Sequence, residues 1–324
     1  MNSYQVIFNQ QALSIGPGQS LLDVALNQNL NIANSCRSGV CQSCLVHIEE
    51  GEPPPGSQRG LSENQIKQNL ALACQLKPTA PLTLSSTTST KKFTTRVLAS
   101  NKLNNSVLRL RLATPFDWFP GQFITLWKNQ SVGRPYSLAS LPNEQFLELH
   151  IKHHQHGELS SWLHTELEVG QEIEISGSKG HCFYSQSMQE KPILLAGIGT
   201  GLAPLYGILR DALNQNHTQP IILYIAFKNT EESYLYKELA ELQYQHHNFS
   251  FHPILRDDNK AGYETGDIVE IVKQQHQKLQ NWCIFLCGAP SPIQKLQRLC
   301  FLRGASMSDI YVDPFTSPQP TPRS

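Results

Sequence analysis

The sequence predicts a multidomain protein composed of a small α+β unit, an antiparallel β-barrel and an α/β unit built on a parallel sheet. The chain has 324 residues, more than one hydrophobic core usually supports. Its middle part contains short apolar segments separated by turn residues, which is typical of an antiparallel barrel. Its last part alternates strand-like and helical segments, which favours a parallel sheet. We expect domains over 1–84, 92–186 and 187–315, a linker over 85–91 and a disordered tail over 316–324.

The composition argues against several classes of protein. Lys plus Arg and Asp plus Glu both number 26, so there is no basic excess and we expect no nucleic-acid partner. The charge-free stretch 192–209 is long enough for a membrane span, but its glycines and prolines indicate a strand, a turn and a helix instead. The N-terminus lacks the apolar region of a secretion signal. We therefore expect a cytoplasmic protein whose eight cysteines are ligands or thiols rather than disulfides.

Individual elements follow from local patterns. In the first unit, residues 4–8, 12–15 and 45–48 read as strands, and Ser20 followed by Asp23 indicates a capped helix start. The middle unit has strand patterns at 94–99, 107–112, 122–127, 147–152 and 172–176. In the last unit the strand patterns lie at 193–196, 221–227 and 283–287, and the helical patterns at 202–213, 231–244 and 293–303.

Four cysteines form the most specific pattern in the chain. Cys36, Cys41, Cys44 and Cys74 have the C-x₄-C-x₂-C…C arrangement of plant-type [2Fe–2S] ferredoxins. Such a site needs four thiolates converging on two irons, and a tightly bent loop, as Gly39 allows, whose backbone N–H groups point at the sulfurs. The alternatives are a structural zinc site or buried thiols. Zinc usually takes paired C-x₂-C units, and only Cys41 and Cys44 form one, so we favour the iron–sulfur cluster.

With these cysteines at its N-terminal end, the chain resembles the reductase components of multicomponent oxygenases and the related deoxysugar-pathway reductases. In both, an N-terminal ferredoxin precedes a ferredoxin-NADP-reductase-like module. The resemblance covers all but the C-terminal tail. It implies a β-grasp ferredoxin domain, an FAD-binding barrel and an NAD(P)-binding α/β domain. Gln42 departs from the family, which usually has glycine after the second cysteine, so the loop geometry and the cluster potential can differ here.

A first flavin motif lies in the middle unit. Arg134, Pro135, Tyr136 and Ser137 resemble the family's R-x-Y-S motif. The resemblance implies that Arg134 binds the FAD pyrophosphate, Tyr136 packs against the flavin ring and Ser137 lies near the reactive N5 atom, where it acts in catalysis. A guanidinium can bind phosphate through two parallel hydrogen bonds, which agrees with this assignment. Taken alone, the four residues could equally be a turn at a strand end.

A second flavin motif follows it. Gly157, Ser160 and Ser161 lie in a segment similar to the family's G-x-x-S-x-x-L motif, where a helix N-terminus offers free N–H groups to the pyrophosphate. Alone, the segment could be an ordinary capped helix; the order of the two motifs favours flavin. Just before it, His153, His154 and His156 could suggest a metal site, but we favour a solvated loop.

The last unit carries a glycine-rich segment that follows a predicted strand and opens a predicted helix. It resembles the G-x-G-T-G-x-A-P loop of ferredoxin reductases, which implies NAD(P) binding by five of its residues: Gly197, Gly199, Thr200, Gly201 and Pro204. Glycines let the backbone approach a pyrophosphate, and a helix N-terminus supplies positive potential. The G-x-G-x-x-G fingerprint of dinucleotide-binding folds is absent.

Three further positions complete the predicted nucleotide site. Cys287, Gly288 and Pro290 resemble the family's C-G-x-P motif, whose cysteine lies near the nicotinamide and which we assign to catalysis; a buried structural thiol is the alternative. Lys228 ends the strand that faces the adenosine ribose in relatives, and it does not discriminate NADH from NADPH. Phe315 follows Asp313 and Pro314 in an acidic-aromatic ending that relatives use to cover the flavin.

These assignments predict an electron-transfer enzyme. Hydride passes from NADH or NADPH to FAD, and single electrons then pass through the [2Fe–2S] cluster to a partner protein. We expect this partner to be the oxygenase component of a multicomponent system, and no side chain need act as a general acid or base. One alternative is a deoxysugar-type reductase working with a cofactor-dependent dehydratase. Another is a carrier or regulatory module that binds the cofactors without catalysis.

Overall fold

The computed structural model describes residues 3–28, 30, 32, 34, 37, 39, 42, 44–61, 63–87, 92–129 and 132–315. In this part of the chain the strands form three sheets, one of five strands and two of six. The fold is multidomain and combines mixed, antiparallel and parallel sheets, which confirms the predicted fold class. Among the described residues, no helix has both the length and the apolar character needed to cross a membrane.

The first unit is a mixed sheet with a helix packed against it. Its strands are β1 (Tyr4–Phe8), β2 (Gln11–Ile15), β3 (Leu45–Glu50), β4 (Leu70–Leu72) and β5 (Leu82–Ser86), in the order β2-β1-β5-β3-β4. Strand β1 pairs antiparallel with β2 and parallel with β5, and β3 pairs antiparallel with β4 and β5. The helices are α1 (Leu21–Asn27) and the short α2 (Glu63–Lys67).

Helix α1 begins as the sequence predicts. The Ser20 Oγ accepts a hydrogen bond from the backbone N–H of Asp23 at 3.2 Å and donates one to the Asp23 carboxylate at 2.6 Å. A free N–H of the first turn is thereby satisfied. The helix buries Leu21, Leu22 and Val24 against the sheet, and Leu22 N–H reaches the carbonyl of Ala73 at 3.1 Å, next to the fourth cysteine.

The second unit is an antiparallel barrel. Its strands are β6 (Lys92–Lys102), β7 (Val107–Ala113), β8 (Phe123–Trp127), β9 (Gly133–Ser137), β10 (Phe146–Lys152) and β11 (Glu172–Lys179), in the order β10-β7-β6-β11-β8-β9. A bridge between Leu138 and Leu149 joins the β9 end of the sheet to β10 and closes it. Helix α3 (Glu158–Thr165) packs its buried Leu159 and Leu163 into the barrel core.

The third unit is a doubly covered parallel sheet. Its strands are β12 (Ile193–Ile198), β13 (Ile221–Phe227), β14 (Phe249–Leu255), β15 (Glu264–Thr265), β16 (Cys283–Gly288) and β17 (Ile310–Pro314), in the order β15-β14-β13-β12-β16-β17. Its helices are α4 (Leu202–Asn214), α5 (Tyr236–Gln245), α6 (Ile268–Gln275) and α7 (Pro290–Leu302). Two separate apolar clusters cover the two faces, as the near-continuous apolar strands predict.

Three of the differences from the sequence expectation have a local cause. The helix predicted from residue 231 begins at Tyr236, because Asn229 caps a short 3₁₀ turn (Thr230–Glu232) and Leu235 is left-handed at φ 57°. Helix α7 begins at Pro290 rather than at residue 293, since prolines fit a first helical turn. Strand β5 continues through Ser86 into the predicted linker, of which residues 88–91 lie outside the described residues. The remaining domain boundaries stay predictions.

Candidate cofactor and electron-transfer site

Two of the four predicted cluster ligands can be placed. Cys44 and Cys74 are both buried, and they lie beside each other because the backbone N–H of Ala73 donates to the carbonyl of Cys44 at 2.9 Å. Strands β3 and β4 pair antiparallel, so the residue before β3 and the residues after β4 share one end of the sheet. Cys36 and Cys41 lie outside the described residues.

The loop that leads to Cys44 has an unusual backbone. Arg37, Gly39 and Gln42 are left-handed, with φ of 54°, 86° and 54°. Left-handed residues in a tight loop can turn their own backbone N–H groups towards a concavity, which suits an anionic group such as an iron–sulfur cluster. The described part of the loop therefore fits the cluster that the cysteine spacing predicts.

The glutamine that departs from the family pattern lies in this loop. A left-handed φ strains a residue that has a Cβ, so a glycine would be the unstrained choice for position 42. The Gln42 side chain offsets this cost through two hydrogen bonds. Its Nε2 donates to the carbonyl of Gly60 at 2.9 Å, and its Oε1 accepts from Gln65 Nε2 at 3.0 Å. The loop between residues 36 and 44 is called the cluster loop below. The Gln42 side chain therefore links this loop to Gly60 and Gln65.

Strand β9 carries the R-P-Y-S residues. Arg134 and Tyr136 share one face of the strand, because side chains two residues apart point the same way. Burial raises the pKa of Tyr136, so its ring stays neutral. Ser137 is buried, and its Oγ donates to Oδ2 of Asp313 at 2.8 Å. The strand thus presents a cation, an aromatic ring and a hydroxyl in sequence.

Helix α3 starts close to the other end of this strand. Gly133, at the start of β9, pairs with Trp127 at the end of β8. Lys128 follows Trp127 in the chain, and its Nζ lies 3.4 Å from Oε1 of Glu158 at the start of α3. The helix N-terminus has no side-chain cap, which leaves it open to an anionic group. A Cβ at Gly157 would overlap the Ser160 hydroxyl, so the turn requires glycine there.

The serines and histidines around this turn bond to one another. Ser160 Oγ accepts from the backbone N–H of His154 and donates to the carbonyl of Gly157, both at 3.2 Å. Ser161 Oγ lies 3.3 Å from His153 Nε2. His156 is exposed in the same connection between β10 and α3. Across the described ranges, no three or more His, Cys, Asp or Glu side chains converge as a metal site would require.

The two glycine motifs of the third unit pack against each other. Residues Gly199–Gly201 form a 3₁₀ turn that leads from β12 into α4, with Thr200 at its centre and Pro204 in the first turn of the helix. A Cβ at Gly201 would overlap the carbonyl oxygen of Cys287, and a Cβ at Gly288 would lie 2.7 Å from the carbonyl oxygen of Ile198. Both contacts join backbone to backbone, so neither position has room for a side chain.

Cys287 lies at the centre of this arrangement. It is fully buried, and its Sγ is 3.7 Å from the Sγ of Cys182, which follows β11 of the barrel. Burial raises the pKa of Cys287 well above its ordinary value, so the residue stays a neutral thiol. In the β16–β17 ladder Cys287 pairs with Asp313, whose carboxylate accepts from Ser137. The residues assigned to catalysis, Ser137 and Cys287, are therefore brought together through Asp313.

Asp313 is the site residue that the sequence indicated least. In the sequence, only its position before Phe315 suggested a role. In the structure its carboxylate is buried where the third unit meets the barrel, and it bonds Ser137 of the barrel. Burial raises the pKa of Asp313 to about 6, against the opposing effect of the Ser137 hydrogen bond. The half-buried Phe315 is held by a hydrogen bond from its N–H to the carbonyl of Gly288 at 2.7 Å. No motif in the sequence indicated that Cys182 would lie beside Cys287.

Lys228 lies apart from this cluster. It is exposed immediately after β13, and its carbonyl accepts from the N–H of Asp257 at 2.9 Å. Asn229 Oδ1 accepts from the N–H of Glu232 at 3.1 Å. Both residues lie at the carboxyl edge of the parallel sheet, where nucleotides bind in open α/β folds. The role of Lys228 at the adenosine ribose stays a prediction.

A cavity separates the cluster loop from the other two units. Its volume is about 970 Å³. One wall consists of first-unit residues, among them Gly39, Gln42 and Gln75. The opposite wall includes Phe183, from the segment after β11, and Asp313. The cavity, called the junction cavity below, thus lies between the predicted cluster site and the carboxylate that bonds Ser137.

Protein-family models match all three units. A 2Fe-2S iron-sulfur cluster binding domain matches residues 7–79, an oxidoreductase FAD-binding domain matches 94–184, and an oxidoreductase NAD-binding domain matches 194–298. The order of the three agrees with the order of the motifs along the chain. They confirm the cofactors predicted from the motifs, namely a [2Fe–2S] cluster, FAD and an NAD-type nucleotide.

Similar proteins extend over nearly the whole chain. The reductase component of the naphthalene 1,2-dioxygenase system of Pseudomonas putida is 30% identical over 95% of this chain and 96% of its own. The reductase subunit of an aromatic O-demethylase from Amycolatopsis is also 30% identical, over 93% of this chain and 95% of its own. A crystal structure of an Amycolatopsis cytochrome P450 reductase is 28% identical and covers 97% of this chain and 99% of its own, with a TM-score of 0.71.

Proposed function

Because the chain belongs to the family of ferredoxin–NAD(P)⁺ reductase components that join a [2Fe–2S] domain to FAD- and NAD-binding domains, we propose that it supplies electrons to the oxygenase component of a multicomponent system. It is an NAD(P)H-dependent iron–sulfur flavoprotein oxidoreductase rather than a carrier without catalysis. When bound, FAD accepts two electrons as hydride and releases them singly, and the cluster carries one electron at a time. The observation that carries the proposal is the junction cavity, which has the cluster loop on one side and, on the other, Asp313, whose carboxylate accepts from Ser137.

The flavin is held by groups of the barrel. Arg134 binds the pyrophosphate through its guanidinium, and the open N-terminus of α3 adds backbone N–H donors beside Gly157, Ser160 and Ser161. Tyr136, two residues from Arg134 on the same strand face, packs against the ring. Pro135 has no N–H to offer, and it lies between them on the last strand of the sheet.

The Ser137–Asp313 pair supplies a proton path that the sequence did not predict. The Ser137 hydroxyl donates to a carboxylate whose pKa is raised to about 6, so near neutral pH this carboxylate can accept and return a proton through the hydroxyl. Both side chains are buried, with 6% of Ser137 and 9% of Asp313 exposed. The Asp313 carboxylate would therefore serve as a proton acceptor for a flavin bound beside Ser137.

The nucleotide is bound by the carboxyl edge of the parallel sheet. The glycine turn over Gly199–Gly201 and the N-terminus of α4 bind its pyrophosphate. Cys287 is a fully buried neutral thiol beside Gly288 and near Pro290 at the start of α7, so it would form part of the apolar backing of the nicotinamide site rather than its exposed wall. Phe315, whose backbone N–H donates to the carbonyl of Gly288, would cover the flavin ring.

The acceptor is proposed from the relatives. Of the two relatives at 30% identity, one is the reductase component of a naphthalene 1,2-dioxygenase system and the other is the reductase subunit of an aromatic O-demethylase. This supports an oxygenase partner over a deoxysugar dehydratase. The chain binds its three cofactors in separate units, so one protein converts a two-electron donor into a supply of single electrons.

The test uses the full chain and a Cys74→Ser variant. With NADH as donor, the wild type should reduce both ferricyanide, a small acceptor that takes electrons from the flavin, and cytochrome c, a one-electron protein acceptor. Cys74→Ser should lose the cluster absorption and most cytochrome c reduction, and it should keep FAD and ferricyanide reduction. Unchanged cytochrome c reduction without the cluster would show that electrons leave by another route. Coupled NADH oxidation and product formation with a purified oxygenase component would then test the partner.

A further inference from the structure

Gln75 follows Cys74 directly and lies in the turn after β4, where its backbone N–H donates to the carbonyl of Leu72 at 2.8 Å. Its side-chain Nε2 lies 3.6 Å from the Sγ of Cys74 and 3.4 Å from the carbonyl oxygen of Arg37. A ligand thiolate and a carbonyl are both acceptors, so the NH₂ group rather than the amide oxygen must face them. The two hydrogens of that NH₂ group suffice for the two acceptors.

The surroundings hold this amide in place. The Arg37 carbonyl belongs to the cluster loop, and by taking one N–H it directs the second N–H towards the sulfur. The stem of Gln75 packs under the same loop, since a Cβ at Gly39 would lie 3.1 Å from Gln75 Cγ. Gln75 is half-buried, and partial exclusion of water strengthens hydrogen bonds to charged acceptors.

We propose that Gln75 is a positioning residue of the electron-transfer site, whose amide N–H bonds to the Cys74 sulfur and raises the reduction potential of the cluster. The inference rests on the proposed function, because it takes Cys74 as a cluster ligand. One electron enters the cluster on reduction, while no bond is formed or broken and no proton moves. The added electron makes the ligand sulfurs more negative, so an N–H donor stabilises the reduced state more than the oxidised state.

The position of Gln75 indicates which side of the cluster site this hydrogen bond affects. Gln75 lines the junction cavity together with Gln42, and Asp313 lies on the opposite wall. The sulfur that receives the N–H therefore belongs to the side of the cluster site that faces the other two units. A higher cluster potential favours electron transfer across the junction from the flavin side.

The experiment compares the cluster potential in three full-length proteins that contain FAD and the cluster. These are the wild type, Gln75→Met and, as matched control, Gln58→Met. Methionine keeps the length of the side chain and removes the N–H donor. Gln58 lies in the same unit and donates its amide to the carbonyl of Leu70 at 2.9 Å, and among the described residues it has no hydrogen bond to a cysteine. A redox titration followed by electron paramagnetic resonance reports the cluster, and the flavin potential of each protein serves as an internal reference.

We expect Gln75→Met to lower the equilibrium constant for cluster reduction by up to about tenfold, or about 59 mV for a one-electron couple. Gln58→Met and all flavin potentials should match the wild type. Gln75→Glu should lower the cluster potential at least as far, because a carboxylate has no N–H and adds negative charge, and it provides the test if the Met variant loses its cluster. An unchanged potential in cluster-loaded Gln75 variants overturns the inference alone. A wild type that binds no iron and sulfide overturns the proposed function.

Discussion

At the level of single residues, the pKa of the Asp313 carboxyl group is strongly changed by its surroundings. Burial raises its pKa from an ordinary 3.8 to about 6, so the folded protein binds a proton there more tightly than the unfolded chain does. Stability from this group is fully present below the unfolded pKa and is lost as the pH rises through the folded pKa. Above about pH 6 the buried carboxylate therefore opposes folding.

Asp313→Asn removes this titration and keeps an oxygen that accepts from Ser137. Relative to the wild type, the variant should gain free energy of unfolding as the pH rises. The shift predicts a relative gain of about 3 kcal/mol at most over the whole titration, at about 1.36 kcal/mol for each pKa unit. Chemical denaturation of both FAD-loaded proteins between about pH 5 and about pH 8 measures the upper part of this gain, about 1.4 kcal/mol, because the rest of the titration falls between the unfolded pKa and about pH 5. A difference that does not vary with pH would contradict the raised pKa.

Arg134 and Ser137 should separate cofactor binding from chemistry. Arg134→Ala removes a charge-assisted contact worth about 1.5–3 kcal/mol, which weakens FAD binding by about ten- to hundredfold. Ser137→Ala should retain FAD, while reduction of the flavin by NADH slows, because the buried hydroxyl and its bond to Asp313 are lost. Stopped-flow reduction under saturating FAD compares the two variants. Full FAD retention by Arg134→Ala, or wild-type reduction by Ser137→Ala, would refute the role assigned to that residue.

The motif residues could be predicted from the sequence because each motif is local. The Ser137–Asp313 bond could not, since it joins residues 176 positions apart. It depends on β17 pairing with β16 at the edge of one sheet and on that edge packing against the barrel. The Cys182–Cys287 contact was missed for the same reason, because Cys182 stands outside every motif.

At the scale of elements, the two nucleotide-binding motifs depend on close backbone packing. Gly201→Ala would place a Cβ against the carbonyl of Cys287, and it should push the start of α4 away from the end of β16. We expect a loss of about 1–3 kcal/mol in the free energy of unfolding and weaker NADH binding. Gly177→Ala is the control, since its Cβ would meet ring carbons of Phe93 and Phe116 at 3.8 and 4.0 Å, which is ordinary van der Waals contact. Equal stability and NADH affinity of the two variants would contradict the close-packing interpretation.

Elements with strong periodic patterns were predicted to within a few residues, and those with special backbone conformations were not. The β13 strand was predicted with its observed bounds, Ile221–Phe227. The start of α5 was wrong because it depends on the left-handed Leu235 and on the Asn229 cap, which apolar periodicity does not reveal. Strands β14 and β17 were not assigned, since each is recognisable mainly from its neighbours in the parallel sheet.

At the scale of the whole molecule, each cofactor has its own unit, so the units should be separable. A chain that begins at Lys92 retains the barrel and the parallel sheet, and it should keep FAD and NADH-driven ferricyanide reduction. It should lose most cytochrome c reduction, since it lacks the cluster. Steady-state rates with both acceptors, compared with those of the full chain, give the measurement. Undiminished cytochrome c reduction by the shortened chain would place the exit of electrons at the flavin.

In the proposed function, electrons from a nicotinamide nucleotide reach the cluster within this one chain. An anaerobic titration of the full chain with NADH, and in parallel with NADPH, followed by electron paramagnetic resonance tests it most directly. We predict that at least one of the two nucleotides bleaches the flavin absorption and produces the signal of a reduced [2Fe–2S] cluster, approaching about one spin per chain. Bleaching of the flavin without a cluster signal, in protein shown to contain about two irons per chain, would contradict the account.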